Sequence, residues 1–197
     1  SFPTRRSSDL LLAAFHEVPG LFCSTAQIFF PAGERRQETG LAVKPPRPKD
    51  SRDPGFPLWC NEPAAGEDCS WVLYGSGGCS LYDTRKLRAL GMFAEMYAPA
   101  YVEDLDIGYR AWQRRWPTVY VAGARVLHHH RATTSRFFTE EELSLVLEAN
   151  YLRFLAGPVA APRVFLDLWR ENLRRGLNRD ALRFARRAWR HMERPPA

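Results

Sequence analysis

Two hydrophobic periods alternate along this chain. "LLAAFHEV" (11–18) reads as the end of a helix stopped by Pro19 and Gly20. "LFCSTAQIFF" (21–30) is rich in β-formers and of strand length. Residues 42–70 hold six prolines with charges between them, which predicts a long irregular loop. "WVLYGSGGCSLY" (71–82) is strand-like with a glycine-rich interruption. "DTRKLRALG" then starts on a capping residue and stops at Gly91, a short helix. The segment 103–115 predicts the next helix, ended by Pro117. "TVYVAGARVLHHH" (118–130) gives two short strands, or one bent around Gly123. Thr139 and Glu142 form a capping box. Behind it Leu143, Val146, Leu147, Tyr151, Phe154 and Leu155 make one apolar stripe at helical spacing, closed by Gly157 and Pro158. Two basic helices follow, near 163–175 and 180–192. Strands and helices in this order predict an α/β domain over 11–156 with a basic helical tail over 157–197.

Composition supports a folded domain, with 45% hydrophobic and 25% charged residues in 197 positions. From Arg163 onward ten arginines face four acids, an excess equal to the whole net charge of +6. The basic character therefore belongs to the tail and does not predict a nucleic-acid-binding core. No apolar run approaches the roughly 18 residues of a spanning helix, and no secretory pattern opens the chain. Cys23, Cys60, Cys69 and Cys79 lack C-x-x-C spacing, which predicts free thiols in a reducing compartment. The first ten residues, "SFPTRRSSDL", match the translation of a common sequencing-library adapter. They are expected to be foreign, with the protein itself extending further upstream.

Candidate chemistry gathers in two stretches. In "YVEDLDIGYRAWQRRW" (101–116) Glu103, Asp104 and Asp106 fall at a helix start, where unpaired N–H groups and the macrodipole favour negative charge. Such acids can simply stabilise a first turn; they can equally supply an ionised base to a hydroxyl. In "ARVLHHHRATTS" (124–135) His128 and His130 share one strand face and His129 takes the other. Two histidines on one face fit either a surface pair or metal ligands.

The order of "YGSGGCSLYDTRKLRALGMF", "YVEDLDIGYRAWQRRW" and "VYVAGARVLHHHRATTS" resembles the acceptor-side half of the family 2 glycosyltransferases, over about residues 11–156. "QIFFPAGERRQETG" (27–40) adds to the likeness. The resemblance implies a partial GT-A (Rossmann-like) mixed sheet flanked by helices. It implies inverting transfer from a nucleotide-sugar donor to a glycan or lipid-linked acceptor. In that frame Asp104 is the base toward the acceptor hydroxyl and Glu103 orients the acceptor. Gly77 and Gly78 let backbone approach the sugar, with Asp106 and Arg110 as further substrate contacts. His128 is a ligand, and His130 a supporting one, for a divalent cation, Mg²⁺ or Mn²⁺, on the donor diphosphate. Two departures are visible. The family's Gly-Gly-Phe-Asp is here Gly91-Met92-Phe93-Ala94. Its nucleotide-binding half, with a strand-closing Asp-x-Asp motif, is not found upstream of residue 103. The expected setting is cytoplasmic, peripheral at the inner face of a bacterial membrane, with the tail on anionic lipid and no nucleic acid as partner. The rival expectation is a non-catalytic fragment whose tail binds a membrane surface or a partner.

Overall fold

The computed structural model describes residues 6–31, 42–44, 59–61, 71–129 and 134–158. Among the described residues there are four α-helices and six strands. They are α1 (Ser7–Glu17), β1 (Cys23–Phe29), β2 (Ala42–Lys44), β3 (Trp59–Asn61), β4 (Trp71–Val72) and β5 (Ser80–Tyr82), then α2 (Thr84–Ala89), α3 (Glu103–Gln113), β6 (Thr118–Leu127) and α4 (Glu140–Ala156). The chain divides into two compact units. All six strands, with α1, α2 and α3 from Asp104 on, belong to the first; residues 95–103 and α4 belong to the second.

The first unit is built on a mixed sheet in the order β3-β2-β4-β6-β1-β5. β1 pairs with β6 in parallel and with β5 antiparallel. Both faces of β1 are covered. On one, Leu11 of α1 meets Ala26 and Ala124, and Ala14 meets Val119. On the other, Leu87, Ile107 and Ala111 of α2 and α3 pack with Phe22 and Cys23. Burial on both faces accounts for the unbroken apolar run that "LFCSTAQIFF" displays.

Local chemistry fixes the ends of the elements. Asp83 caps α2 by accepting from the N–H groups of Arg85 at 2.9 Å and Lys86 at 3.2 Å. That helix closes through Gly91 at φ 79° and Met92 at φ 65°, both left-handed. Helix α3 stops at Gln113, short of the expected 115, because Arg115 turns left-handed at φ 60° ahead of Pro117. β6 is one strand. Its pairing jumps from Ala26 opposite Val121 to Gln27 opposite Arg125, so residues 122–124 bulge around Gly123. Beyond the bulge the His128 N–H donates to the Phe29 carbonyl at 2.9 Å, which carries the strand's end alongside β1.

One expectation needs correcting in this unit. The segment 42–70 is not wholly irregular, since β2 and β3 pair with each other and β2 joins β4. Helix α1 begins at Ser7, inside the stretch matched to an adapter, and the Ser7 hydroxyl donates to the Arg125 carbonyl at 2.7 Å. The predicted tail helices lie outside the described residues.

In the second unit Thr139 and Glu142 make the expected capping box on α4. The buried face of α4 differs from the predicted stripe. Leu143, Phe154 and Leu155 are buried as expected, but Leu147 and Tyr151 are 44% and 36% exposed. Ala149, Asn150 and Leu152 are buried in their place. The reason is polar: the Asn150 amide hydrogen-bonds the carbonyls of Tyr97, Ala100 and Tyr101, which turns this side of the helix inward. Among the described residues no helix is long and apolar enough to cross a membrane.

Candidate functional site

Helix α3 lies along the segment 72–77, and one face of it makes three successive contacts, one per turn. The Trp112 indole N–H donates to the Val72 carbonyl at 2.9 Å. Gly108 sits directly on the backbone of Leu73 and Tyr74, where a Cβ would come within 2.5 Å of the Leu73 oxygen. Asp104 then receives the Gly77 N–H on Oδ2 at 3.3 Å. Positions 104, 108 and 112 follow the helical repeat, so one stripe of α3 sets the height and direction of Asp104.

The loop that meets Asp104 is itself held by buried hydroxyls. The Ser76 N–H donates to Thr25 Oγ1 at 3.1 Å, and the Ser80 hydroxyl donates to the Ser76 carbonyl at 2.7 Å. The Thr25 and Ser80 hydroxyls are 2.9 Å apart. The Gly78 N–H donates to Ser76 Oγ at 3.2 Å, and the Tyr82 hydroxyl donates to the Gly75 carbonyl at 3.2 Å. Gly75 has no space for a side chain between Cys23 Sγ and Ser80. Burial pushes the Cys23 thiol and the Tyr82 phenol well up; the negative charge of Asp104 acts on both in the same direction. The loop is thus neutral, satisfied and fixed, with Gly77 and Gly78 at its exposed tip.

His128 arrives at the other side of that tip. A Cβ on Gly78 would lie 3.6 Å from His128 Cγ and 2.9 Å from Ile28 Cδ1. The imidazole and the Asp104 carboxylate therefore flank two consecutive glycines, although 24 positions separate the two residues in sequence. His128 is half-buried and His129 exposed, the alternation expected of a strand continuation, although β6 ends at Leu127. His130 lies outside the described residues.

Two further expected site residues, Asp106 and Arg110, pair with each other. Asp106 is 1% exposed and pairs with Arg110 at 2.7 Å. Arg110 also donates to the carbonyls of Leu90 and, at 3.1 Å, Met92. These two side chains are engaged in tying α3 to the turn after α2. Glu103 opens α3, and its Oε2 is buried with no hydrogen-bond partner among the described residues. An orphaned carboxylate oxygen is costly, and it calls for a donor beyond the described residues.

Sequence reasoning missed the residues that hold the loop and the helix against each other. Thr25 shows no signal within its strand. Gly108 did have one: a glycine inside a helix costs about 1 kcal/mol against alanine and asks for a packing reason.

As chemistry, Asp104 is a half-buried carboxylate held by two backbone N–H groups, Gly77 on Oδ2 and Leu105 on Oδ1 at 2.8 Å. It sits beside Gly77, which is exposed and has open space around its Cα. The described residues hold no group of three His, Cys, Asp or Glu side chains that could bind a metal ion. His128 alone does not make a site for an oxygen-loving divalent cation.

No protein-family model matches the chain. Over 61 residues it is 41% identical to the N-acetylglucosaminyl-diphospho-decaprenol L-rhamnosyltransferases of two Mycobacterium tuberculosis strains, CDC 1551 / Oshkosh and ATCC 25618 / H37Rv. The match takes in 31% of this chain and 20% of each relative, so it spans about a fifth of the length of those curated proteins. Among solved structures, GalNAc-T7 with UDP, GalNAc and Mn²⁺ superposes with a TM-score of 0.44 at 13% identity, covering 75% of this chain and 28% of that one.

Proposed function

We propose that this chain is the acceptor-side part of a glycosyltransferase that moves a sugar from a nucleotide-sugar to a lipid-linked glycan, with inversion. The observation that carries it is the convergence of Asp104, the Gly77–Gly78 tip and His128, three stretches that the family resemblance had joined only by order. The 41% identity to enzymes named for transfer to a diphospho-decaprenol-linked sugar supports the acceptor class.

In this reaction Asp104 takes the proton of the acceptor hydroxyl as its oxygen bonds to the anomeric carbon. The bond from that carbon to the diphosphate breaks on the opposite face, and the electron pair leaves with the nucleoside diphosphate. Two backbone donors fix the carboxylate, so one orientation toward the hydroxyl is prepared before substrate arrives. Glu103 Oε2, buried and without a partner among the described residues, would accept from a second acceptor hydroxyl. Gly77 leaves open space beside its backbone for a sugar ring, while Gly78 lies close against Ile28. A divalent cation on the donor diphosphate would neutralise charge on the leaving group. His128 is proposed as one ligand to it, and the remaining ligands would come from the diphosphate and from outside the described residues. The basic tail, residues 157–197, is proposed to rest on anionic lipid near such an acceptor.

The test is product formation by the full-length protein that carries this segment. It would be supplied with N-acetylglucosaminyl-diphospho-polyprenol and a panel of dTDP-, UDP- and GDP-sugars, with products read by mass spectrometry. A hexose or deoxyhexose added to the lipid-linked sugar is the expected result. No product from any donor, with folded protein present, would contradict it.

A further inference from the structure

Asn150 is 0% exposed in the middle of α4, where an asparagine is a poor helix former and a buried amide must be fully satisfied. Its Nδ2 lies 2.7, 2.8 and 3.2 Å from the carbonyls of Tyr97, Ala100 and Tyr101. Its Oδ1 accepts from Arg153 Nη1 at 2.8 Å, and the same nitrogen donates to the Met96 carbonyl at 2.6 Å. Asn150 and Arg153 together thus hold four carbonyls of the six-residue stretch from Met96 to Tyr101. The next step of the chain is strained. Tyr101 and Val102 stand at φ 71° and 79°, left-handed conformations that a β-branched residue almost never adopts. Glu103, the first residue of α3, comes immediately after.

Such strain persists only where surrounding contacts over-determine the backbone, and it clusters at functional sites. We infer that Asn150 is a positioning residue: by holding the carbonyls of Tyr97, Ala100 and Tyr101 it keeps Tyr101 and Val102 left-handed, so that α3 starts at Glu103 and presents Glu103 and Asp104 in its first turn. Without the clamp, Val102 relaxes to negative φ and the first turn of α3 frays. Asn150 touches no reacting atom in this scheme. The inference rests on the proposed role of Asp104 for its catalytic consequence, but not for its structural one.

The test uses the full chain and two kinds of variant. In Asn150→Asp the nearly isosteric side chain can no longer donate. In Asn150→Asp combined with Val102→Gly, position 102 can be left-handed at little cost. Hydrogen exchange of the Ile107 and Gly108 amides, which close the first turn of α3, is compared with that of β1 and β6. The single variant should speed exchange at 107 and 108 about tenfold or more, leaving β1 and β6 within about threefold, and the added glycine should return it toward wild type. Unchanged exchange at 107 and 108 would overturn the inference. So would uniform acceleration across the chain that Val102→Gly does not relieve, which would make Asn150 ordinary core. In the full-length enzyme the single variant should lower kcat with little change in donor KM, and the glycine should rescue it. If Asp104→Asn proves silent while the exchange pattern holds, the catalytic reading fails and the clamp stands.

Discussion

Gly108 rests on the carbonyl oxygen of Leu73, with no room for a Cβ between helix and backbone. This contact lies one turn from Asp104 and sets how closely α3 approaches the loop that Asp104 bonds. Gly108→Ala would gain helix propensity, worth roughly 1 kcal/mol. It would also force α3 off the 73–74 backbone, and overpacking of this kind costs about 1–3 kcal/mol. Because the obstacle is backbone, the clash should win. Chemical denaturation is expected to show a lower midpoint for Gly108→Ala, whereas a rise would mean that the close approach does not constrain the helix.

Met92 offers the opposite case. It is 46% exposed and stands at φ 65°, in the place where the family pattern has a second glycine. A left-handed non-glycine residue costs roughly 1–2 kcal/mol, and little packing is lost by removing this side chain. Met92→Gly should therefore raise the thermal midpoint by a few degrees. A fall would show that the methionine side chain contributes more than its backbone costs.

Much of this frame was legible in the sequence. Asp83, Gly91, Thr139 and Glu142 announced helix ends because capping is local chemistry, written within four residues. The helix starting at Glu103 was legible for the same reason. What the chain order could not give is which carboxylate turns to the glycines and which turns away. Asp104 and Asp106 are two residues apart; the Asp106–Arg110 pair is a local contact four positions apart on the helix, but only tertiary packing brings Gly77 to Asp104. Asn150 was likewise hidden: a polar residue beside an apolar stripe looks exposed until its carbonyl partners, some fifty positions earlier, are known.

Burial of Cys23 gives a pH dependence of definite sign. Its thiol ionises near pH 9 when exposed and is pushed far above that in the folded protein. Below pH 9 both states keep the proton and the full stability is present; above it the unfolded chain releases a proton that the folded chain retains. Stability should therefore fall as pH rises beyond about 9. Iodoacetamide at pH 8 should leave Cys23 unmodified in the native protein and label it in urea. Native labelling of Cys23 at the rate of a free thiol would contradict its burial.

His128 and His129 separate the metal proposal from a general effect of imidazole. His128 lies against Gly78, while His129 is exposed. In the full-length protein His128→Ala should raise the Mn²⁺ concentration needed for half-maximal transfer, and His129→Ala should not. Equal shifts in both variants would remove His128 as a ligand.

The central claim concerns one carboxylate and is tested most directly by its isosteric removal. Asp104→Asn keeps the shape and an acceptor oxygen for the Gly77 N–H but can no longer take up a proton. Transfer to the lipid-linked acceptor by the full-length enzyme is measured for both proteins, with donor binding measured separately. Turnover should drop by roughly 10²–10⁴-fold, the usual contribution of general base catalysis, while donor affinity changes little. Turnover within about threefold of wild type would contradict the assignment of Asp104 as the base.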